Sequence, residues 1–171
     1  QPLGGFLGDV NAPPYVKLSG DDRFGSASGE TLYINLDHKG TPCLVSGRVT
    51  GPGGEPLAGA SVDVWQTNED GFYDVQQPDI QPAGNLRGLF TADDVGRFRF
   101  RSVVPRFYPI PDDGPVGQLL AATGRHPYRP AHLHFIVAVP GYRPVTTHVF
   151  VADSPYLDSD AVFGVKESLV R

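Results

Sequence analysis

The sequence has 171 residues, a formal net charge of −5 and a pI near 5.4, and 40% of its residues are hydrophobic. This length and composition suit one domain with a sizeable core. The acidic balance argues against nucleic acid as a partner, and no apolar run approaches the roughly 18–20 residues of a membrane span. Cys43 is the single cysteine, which excludes an internal disulfide and predicts a reducing, cytoplasmic compartment.

Short strands separated by turns dominate the predicted elements, which suits a composition with 21 Gly and 17 Pro. Residues 45–65 are interpreted as a hairpin-like unit around a Gly-rich loop. The predicted strands, in chain order, are residues 31–36, 41–49, 60–65, 88–90, 97–103, the strand around His132 and His134, and 145–151. This spacing predicts an all-β fold, a β-sandwich core with long loops and one or two short helices.

Helices are predicted to be few. Residues 105–115 carry four prolines and cannot form a helix, because proline lacks the backbone donor and clashes with the preceding turn. Residues 116–124 are the one plausible helix after the first strands. Residues 159–170 are predicted to form a loop or one short helix.

His132 and His134 form the pattern with the most chemical information. Apolar residues at 131, 133, 135 and 137 alternate with them, and strand residues two positions apart share one face. Neutral imidazole is a common metal ligand, and a rigid strand can hold two of them side by side. The pattern fits either a metal site or two solvent-facing histidines, and it does not identify the metal.

A carboxylate beside the two histidines would complete a facial-triad iron site or a zinc site. No Asp or Glu lies between Asp113 and Asp153, however. Most carboxylates lie in turn-like clusters and are predicted to be solvated. His38 and His126 lie in loop-like sequence and are predicted to be at the surface.

Tyr73 and Tyr108 are further candidates because both flank turns, where functional groups collect in a sandwich. A lone Tyr usually lies at the rim with its hydroxyl in water. A phenol with a free pKa of about 10 stays deprotonated at neutral pH only on a strongly Lewis-acidic ion, and ferric iron is such an ion. Two phenolates and two neutral imidazoles would leave Fe(III) with one positive charge, which a hydroxide cancels.

Four motifs resemble those of the intradiol ring-cleaving catechol dioxygenases, in the family's order and spacing. They are residues 47–66, the Gly-Phe-Tyr of 71–73, residues 106–115, and the Arg-Pro-Ala-His-Leu-His-Phe of 129–135. The resemblance runs from about residue 44 to residue 170. Other segments are most similar to the hydroxyquinol 1,2-dioxygenases, with the chlorocatechol enzymes next; these segments are residues 74–78, 85–88 and 155–163.

The resemblance implies a non-haem Fe(III) held by Tyr73, Tyr108, His132 and His134. It implies that Tyr108 is the axial phenolate that leaves the iron when substrate binds, and that Tyr73 stays bound. Arg129 matches the family's active-site arginine, which would stabilise negative charge that develops during the reaction.

The resemblance also implies a set of substrate-binding positions. Phe6, Asp9, Ala161 and Val162 match residues that line the family's pocket. His148 stands where catechol dioxygenases commonly carry Gln. The implied reaction inserts both atoms of O2 between the two hydroxyl-bearing carbons of hydroxyquinol, catechol or a chlorocatechol, and it gives a cis,cis-muconate-type product.

The chain is predicted to be one domain in two parts. Residues 1–43 form an irregular segment that contributes to the pocket, and residues 44–171 form the dioxygenase core. Family members usually begin with a helical domain that mediates dimerisation. The sequence shown does not include that domain, so the expected homodimer stays an open question.

Two other interpretations remain at this stage. Residues 47–60 also resemble carboxypeptidase-regulatory and transthyretin-like repeats, which predicts a non-catalytic β-sandwich binding or structural module. The other interpretation is an extradiol or facial-triad Fe(II) enzyme, against which the two matched tyrosines and the missing carboxylate argue.

Overall fold

The computed structural model describes residues 32–171, which form two β-sheets that enclose an apolar core. The strands are β1 Leu32–Tyr33, β2 Pro42–Arg48, β3 Ser61–Gln66, β4 Arg87–Thr91, β5 Arg97–Val103, β6 Tyr108–Pro109, β7 Tyr128–Arg129, β8 His132–Ala138 and β9 Val145–Phe150. The helices are α1, Pro115–Ala122, and two 3-10 turns, Asp74–Gln76 and Glu167–Leu169.

One sheet has the strand order β1-β5-β2, the other has the order β4-β3-β8-β9, and β6 pairs with β7 in a separate ribbon. The all-β sandwich predicted from the sequence is therefore confirmed, and each predicted strand corresponds to one in the structure. The ribbon of β6 and β7 was not predicted, because two strands of two residues carry no periodic signal. The first predicted strand is shorter than expected, since β1 ends at Tyr33.

The hairpin predicted for residues 45–65 is wrong. β2 pairs with β5, whereas β3 pairs with β4 and β8, so β2 and β3 belong to different sheets. An isolated antiparallel bridge between Thr50 and Pro56 closes the Gly-rich loop. The chain then crosses to the other sheet. A local turn signal does not reveal which sheet the following strand joins.

Aromatic and β-branched residues from both sheets form the core. Phe90 and Phe100, from opposite sheets, stack with their ring centres 4.8 Å apart. Val64 and Phe135 are paired in register on the same inner face. Burying each such side chain contributes about 1.5–3 kcal/mol.

The side chains of strand β8 alternate between the apolar core and the opposite face of the sheet, which carries the candidate metal ligands. Leu133 and Phe135 point into the core, and His132 and His134 point to the outer face of the four-stranded sheet. All four side chains are buried. The outer face around the histidines is thus covered by protein, so the alternative of two solvent-facing histidines is excluded.

The helix α1 lies where the sequence predicts it. Pro115 is its first residue, where a missing backbone N–H costs nothing, and Gly124 follows its end with φ +67°. Among residues 32–171, no helix has the length and apolar character needed to cross a membrane.

Replacing Gly96 by Ala should destabilise the sandwich more than replacing Gly54. Both glycines have positive φ, which costs another residue about 1–2 kcal/mol. A Cβ at Gly96 would also overlap the Val49 carbonyl oxygen, whereas nothing lies within 4 Å of a Cβ at Gly54. Chemical denaturation should give a free energy of unfolding lower for Gly96→Ala than for Gly54→Ala by at least about 1 kcal/mol. Equal losses would show that the backbone at Gly96 relaxes freely.

Candidate metal centre

Two tyrosines and two histidines bring four donor atoms together on the outer face of the four-stranded sheet. Tyr73 Oη lies 2.9 Å from Tyr108 Oη and 2.9 Å from His134 Nε2. His132 Nε2 lies 3.1 Å from His134 Nε2 and 3.4 Å from Tyr108 Oη. The structure therefore places together all four residues for which the resemblance implies a shared ion.

These separations fit one bound ion. Donors about 2.0–2.1 Å from a metal lie about 2.8–3.4 Å apart when the angles between them range from right to tetrahedral. The four contacts measure 2.9–3.4 Å. Two oxygen and two nitrogen donors also match the chemistry of a ferric site.

The two imidazoles are held in a state suited to metal binding. His132 Nδ1 donates to the Pro130 carbonyl oxygen at 2.6 Å, which leaves the lone pair of Nε2 directed at the cluster. Burial, followed by the charge of Arg129, lowers the pKa of His132 well below its ordinary value. Burial and the neighbouring His132 do the same for the pKa of His134, whose ring stacks on Trp65 at 4.6 Å.

Tyr73 is fixed by the loop that follows β3. Its backbone N–H donates to Gln76 Oε1 at 2.8 Å, and the next residue, Asp74, accepts from Arg87 Nε at 2.8 Å. Gly71, with φ +88°, lets this loop approach the next one, because a Cβ there would lie 3.0 Å from the Phe107 carbonyl oxygen. The loop thus holds the Tyr73 phenol against the neighbouring tyrosine.

Tyr108 lies on β6, directly paired with Arg129 on β7. Tyr108 is half-buried, whereas Tyr73 is 6% exposed. The two phenols therefore differ in their access to solvent, and Tyr108 is the one with more room to move.

Arg129 is a buried cation at the edge of the cluster. Its Nε donates to Asp160 Oδ1 at 3.2 Å, and its Nη1 lies 3.2 Å from His132 Nε2. Burial opposes the charge, but Tyr108 and Asp160 outweigh burial and raise the pKa of the guanidinium. Within residues 32–171, Nη2 is buried and has no hydrogen-bond partner. That donor is suited to an anionic oxygen of a bound molecule.

Asp160 and Trp65 belong to the site, and sequence reasoning missed both. Asp160 is buried, and its Oδ2 also accepts from the Gly164 backbone N–H at 2.8 Å. Asp160 and the buried Asp74 are exceptions to the expectation that most carboxylates are solvated. No periodic pattern marked Asp160, which lies in a loop, whereas the alternation of β3 and β8 could have placed Trp65 beside His134.

His148 is a third imidazole on the same face. It lies on β9 opposite His134 in the strand register, and its ring centre is 4.6 Å from that of His134. Burial, with the charge of Arg129, lowers the pKa of His148 to about 4. The three histidines form a group whose ligand atoms lie within 4.8 Å of one another. This group contains no carboxylate, which among residues 32–171 argues against a facial triad.

The remaining predicted positions have mixed outcomes. Ala161 is buried and Val162 is half-buried, in the loop beside Arg129. Phe6 and Asp9 lie outside the described residues. His38 is exposed as predicted, whereas His126 is half-buried, 2.9 Å from Ser159 Oγ. A cavity of about 480 Å³, lined by Arg125, His126 and Phe163 among others, lies beside that loop.

Comparison with known proteins identifies the family. A family model described as dioxygenase matches residues 10–171. The chain belongs to the intradiol ring-cleavage dioxygenase family. Membership implies non-haem iron, and the histidine group could hold a metal. The comparisons give no support to the non-catalytic transthyretin-like alternative.

Individual relatives agree with this assignment. The chain is 61% identical over 137 residues to hydroxyquinol 1,2-dioxygenase of Rhizobium sp. (strain MTP-10005), covering 80% of this chain and 46% of the relative. It is 58% identical over 132 residues to 6-chlorohydroxyquinol 1,2-dioxygenase of Cupriavidus pinatubonensis, covering 77% and 48%. A crystal structure of hydroxyquinol 1,2-dioxygenase from Pseudomonas putida DLL-E4 matches with a TM-score of 0.79 and 50% identity, covering 93% of this chain and 53% of that one.

The chain spans about half the length of the curated relatives it matches. The division into residues 1–43 and 44–171 stays a prediction. β1 and β2, which begin before residue 44, are strands of the same sheet as β5.

Replacing Asp160 by Ala should destabilise the protein, because it leaves the Arg129 charge buried without its carboxylate. Removing one partner of a buried ion pair costs about 3–5 kcal/mol. Asp158→Ala, at an exposed position of the same loop, is the matched control and should change stability by less than about 0.5 kcal/mol. Thermal and chemical denaturation of the metal-free variants measure both. A small loss for Asp160→Ala would mean that another group balances Arg129.

Proposed function

We propose that this protein is an Fe(III)-dependent intradiol dioxygenase that uses O2 to cleave a catechol-type substrate between its two hydroxyl-bearing carbons. The observation that carries the proposal is the convergence of four donor atoms, each 2.9–3.4 Å from two of the others; they belong to Tyr73, Tyr108, His132 and His134. The product is a cis,cis-muconate-type diacid.

The proposed substrate class is hydroxyquinol and its close analogues. The names of the two relatives with 61% and 58% identity, hydroxyquinol and 6-chlorohydroxyquinol 1,2-dioxygenase, support this choice. Catechol and chlorocatechols are the competing substrates, since one substituent contributes only about 1–3 kcal/mol of discrimination in an apolar pocket.

The four donors would hold the iron. Ferric iron, when bound, supplies a strong Lewis acid that keeps phenols ionised at neutral pH and withdraws electron density from a catecholate ring. The strand holds the two imidazoles rigidly, and the hydrogen bond from His132 Nδ1 to Pro130 fixes the orientation of one ring. Tyr73, buried and held by the loop after β3, is the phenol that keeps its position.

Tyr108 is the proposed base. Its oxygen, as a phenolate, accepts a proton from a substrate hydroxyl and becomes a neutral phenol. The half-buried position on a two-residue strand gives Tyr108 the freedom to turn away from the cluster, which Tyr73 lacks. Proton transfer to a positioned side chain contributes typically about 10²–10⁴-fold to a rate.

Arg129 is the proposed electrostatic catalyst. Asp160 holds its Nε, so the rest of the guanidinium has a fixed direction and needs no reorganisation during the reaction. Nη2 is the donor directed to negative charge on the substrate, because no residue within 32–171 satisfies it. A planar, permanently charged guanidinium suits an oxyanion better than a solvated lysine would.

The substrate pocket is proposed to include His148, Ala161 and Val162 among the described residues, together with Phe6 and Asp9. His148 lies close to His132, with ring centres 5.0 Å apart, and therefore adjoins one of the proposed metal ligands. Homodimerisation and a cytoplasmic location are proposals that rest on family resemblance and sequence alone.

The function is tested by loading the protein with ferric iron and supplying hydroxyquinol, catechol and chlorocatechols side by side. A red to brown colour from tyrosinate-to-iron charge transfer is expected, with turnover of hydroxyquinol to a muconate-type product. Ring opening beside the hydroxyls would give a yellow semialdehyde instead. A colourless, fully iron-loaded sample would refute the proposed ligand set.

Tyr108→Phe should retain iron, lose part of the charge-transfer band and slow turnover by about 10²–10⁴-fold, because the base is removed but three donors remain. Tyr128→Phe is the matched control: Tyr128 lies on the neighbouring strand and packs on Tyr156 rather than on the donor cluster. Absorption spectra and single-turnover rates measure both effects. Unchanged turnover in Tyr108→Phe would remove its role as a base.

A further inference from the structure

We infer that the iron-free protein contains a second metal site that overlaps the first, in which His132, His134 and His148 bind a borderline divalent cation such as Zn²⁺, Ni²⁺ or Cu²⁺. This site shares two imidazoles with the proposed ferric site and replaces both phenolates by a third imidazole. The inference does not rest on the proposed function, because it concerns the protein without iron.

The strand register brings the three imidazoles to one face. His134 and His148 are directly opposed on β8 and β9, and His132 lies two residues before His134 on the same face. The ring centres are 4.6 Å apart for His132 and His134, 4.6 Å for His134 and His148, and 5.0 Å for His132 and His148. The angles between the ring planes are 67°, 67° and 88°, so no two of the three rings are stacked on each other.

This triangle has the dimensions of a three-imidazole metal face. A metal about 2.0–2.1 Å from a ring nitrogen lies about 3.2 Å from the ring centre, so three such rings at near right angles lie about 4.5–5 Å apart. The ligand nitrogens of the group lie within 4.8 Å of one another, and those of His132 and His134 are already 3.1 Å apart. A movement of the half-buried His148 ring by about 1 Å, within the freedom of its terminal torsion, brings the third nitrogen into range.

The His148 ring is available for such a role. Among residues 32–171 it forms no hydrogen bond through either ring nitrogen, whereas His132 uses Nδ1 to bind Pro130. Thr146, the neighbour of His148 on the same face of β9, contributes no competing imidazole or carboxylate. A coordinated ion would give this ring a polar partner that residues 32–171 do not supply.

The two donor sets select ions of different chemistry. A phenol loses its proton at neutral pH only to a strong Lewis acid, which favours Fe(III) for the set that contains Tyr73 and Tyr108. Borderline divalent ions favour neutral imidazole and follow the order Ni²⁺ < Cu²⁺ > Zn²⁺. A divalent ion on the three histidines would occupy His132 and His134 and so exclude iron from them.

The charge of Arg129 opposes any cation at this position, since Nη1 lies 3.2 Å from His132 Nε2. Asp160 offsets that charge through its ion pair with Nε. Two phenolates leave a ferric ion with one net positive charge, whereas a divalent ion on three neutral imidazoles keeps two. Arg129 therefore lowers the affinity of the three-histidine site more than that of the ferric site.

The test titrates the iron-free full chain with ZnCl2 in competition with a chromogenic chelator. His148→Gln should weaken zinc binding at least about tenfold, because it removes one of three ligands. His126→Gln is the matched control for a half-buried histidine outside the group, and it should leave the affinity within about threefold of the wild type. Tyr73→Phe should also leave zinc affinity within about threefold while it weakens ferric loading.

Copper supplies a readout of ligand number. The electron paramagnetic resonance spectrum of the Cu²⁺ form should show coupling to three nitrogens in the wild type and to two in His148→Gln. Zinc affinity unchanged by His148→Gln, or lowered more by Tyr73→Phe than by His148→Gln, would overturn the inference. Failure of the wild type to take up ferric iron would refute the proposed function instead, and the zinc and copper results would still stand.

Discussion

The structure depends on one constraint, which is that four polar donor atoms share one site, each 2.9–3.4 Å from two of the others. Buried polar groups are costly unless each has a partner. The phenols and imidazoles lie within hydrogen-bonding distance of one another, so each has a polar partner inside the cluster. His132 and His134 come from β8, Tyr73 comes from the loop after β3, and Tyr108 comes from the short strand β6. That loop and the ribbon of β6 and β7 must therefore be held accurately relative to the sheet.

The part of this arrangement that depends on local sequence pattern could be predicted. The alternation along residues 131–137 placed His132 and His134 on one face, and the structure confirms it because strand periodicity survives any tertiary arrangement. Tyr73 and Tyr108 carried no such pattern, and only the resemblance linked them to the histidines. Their approach depends on loop contacts between residues distant in sequence, which periodicity cannot express.

The unpredicted features are all non-local. The assignment of β2 and β3 to different sheets is a choice between strand partners, and the Gly-rich loop between them fits either choice. Asp160 looks like other loop carboxylates in the sequence, yet it is buried against Arg129. Only the partner Arg129 distinguishes this aspartate from the others, and at a sequence separation of 31 no local pattern indicates the pairing.

Gly71 has a consequence for how the two phenols are spaced. Its hydrogen side chain lets the chain pass so near the Phe107 carbonyl that even a methyl group would meet it at 3.0 Å. The absence of a side chain at Gly71 therefore sets how closely the loop that carries Tyr73 approaches the segment that carries Tyr108. The separation of the two phenol oxygens depends on that approach. The affinity of the cluster for an ion would therefore depend on a residue that supplies no ligand atom.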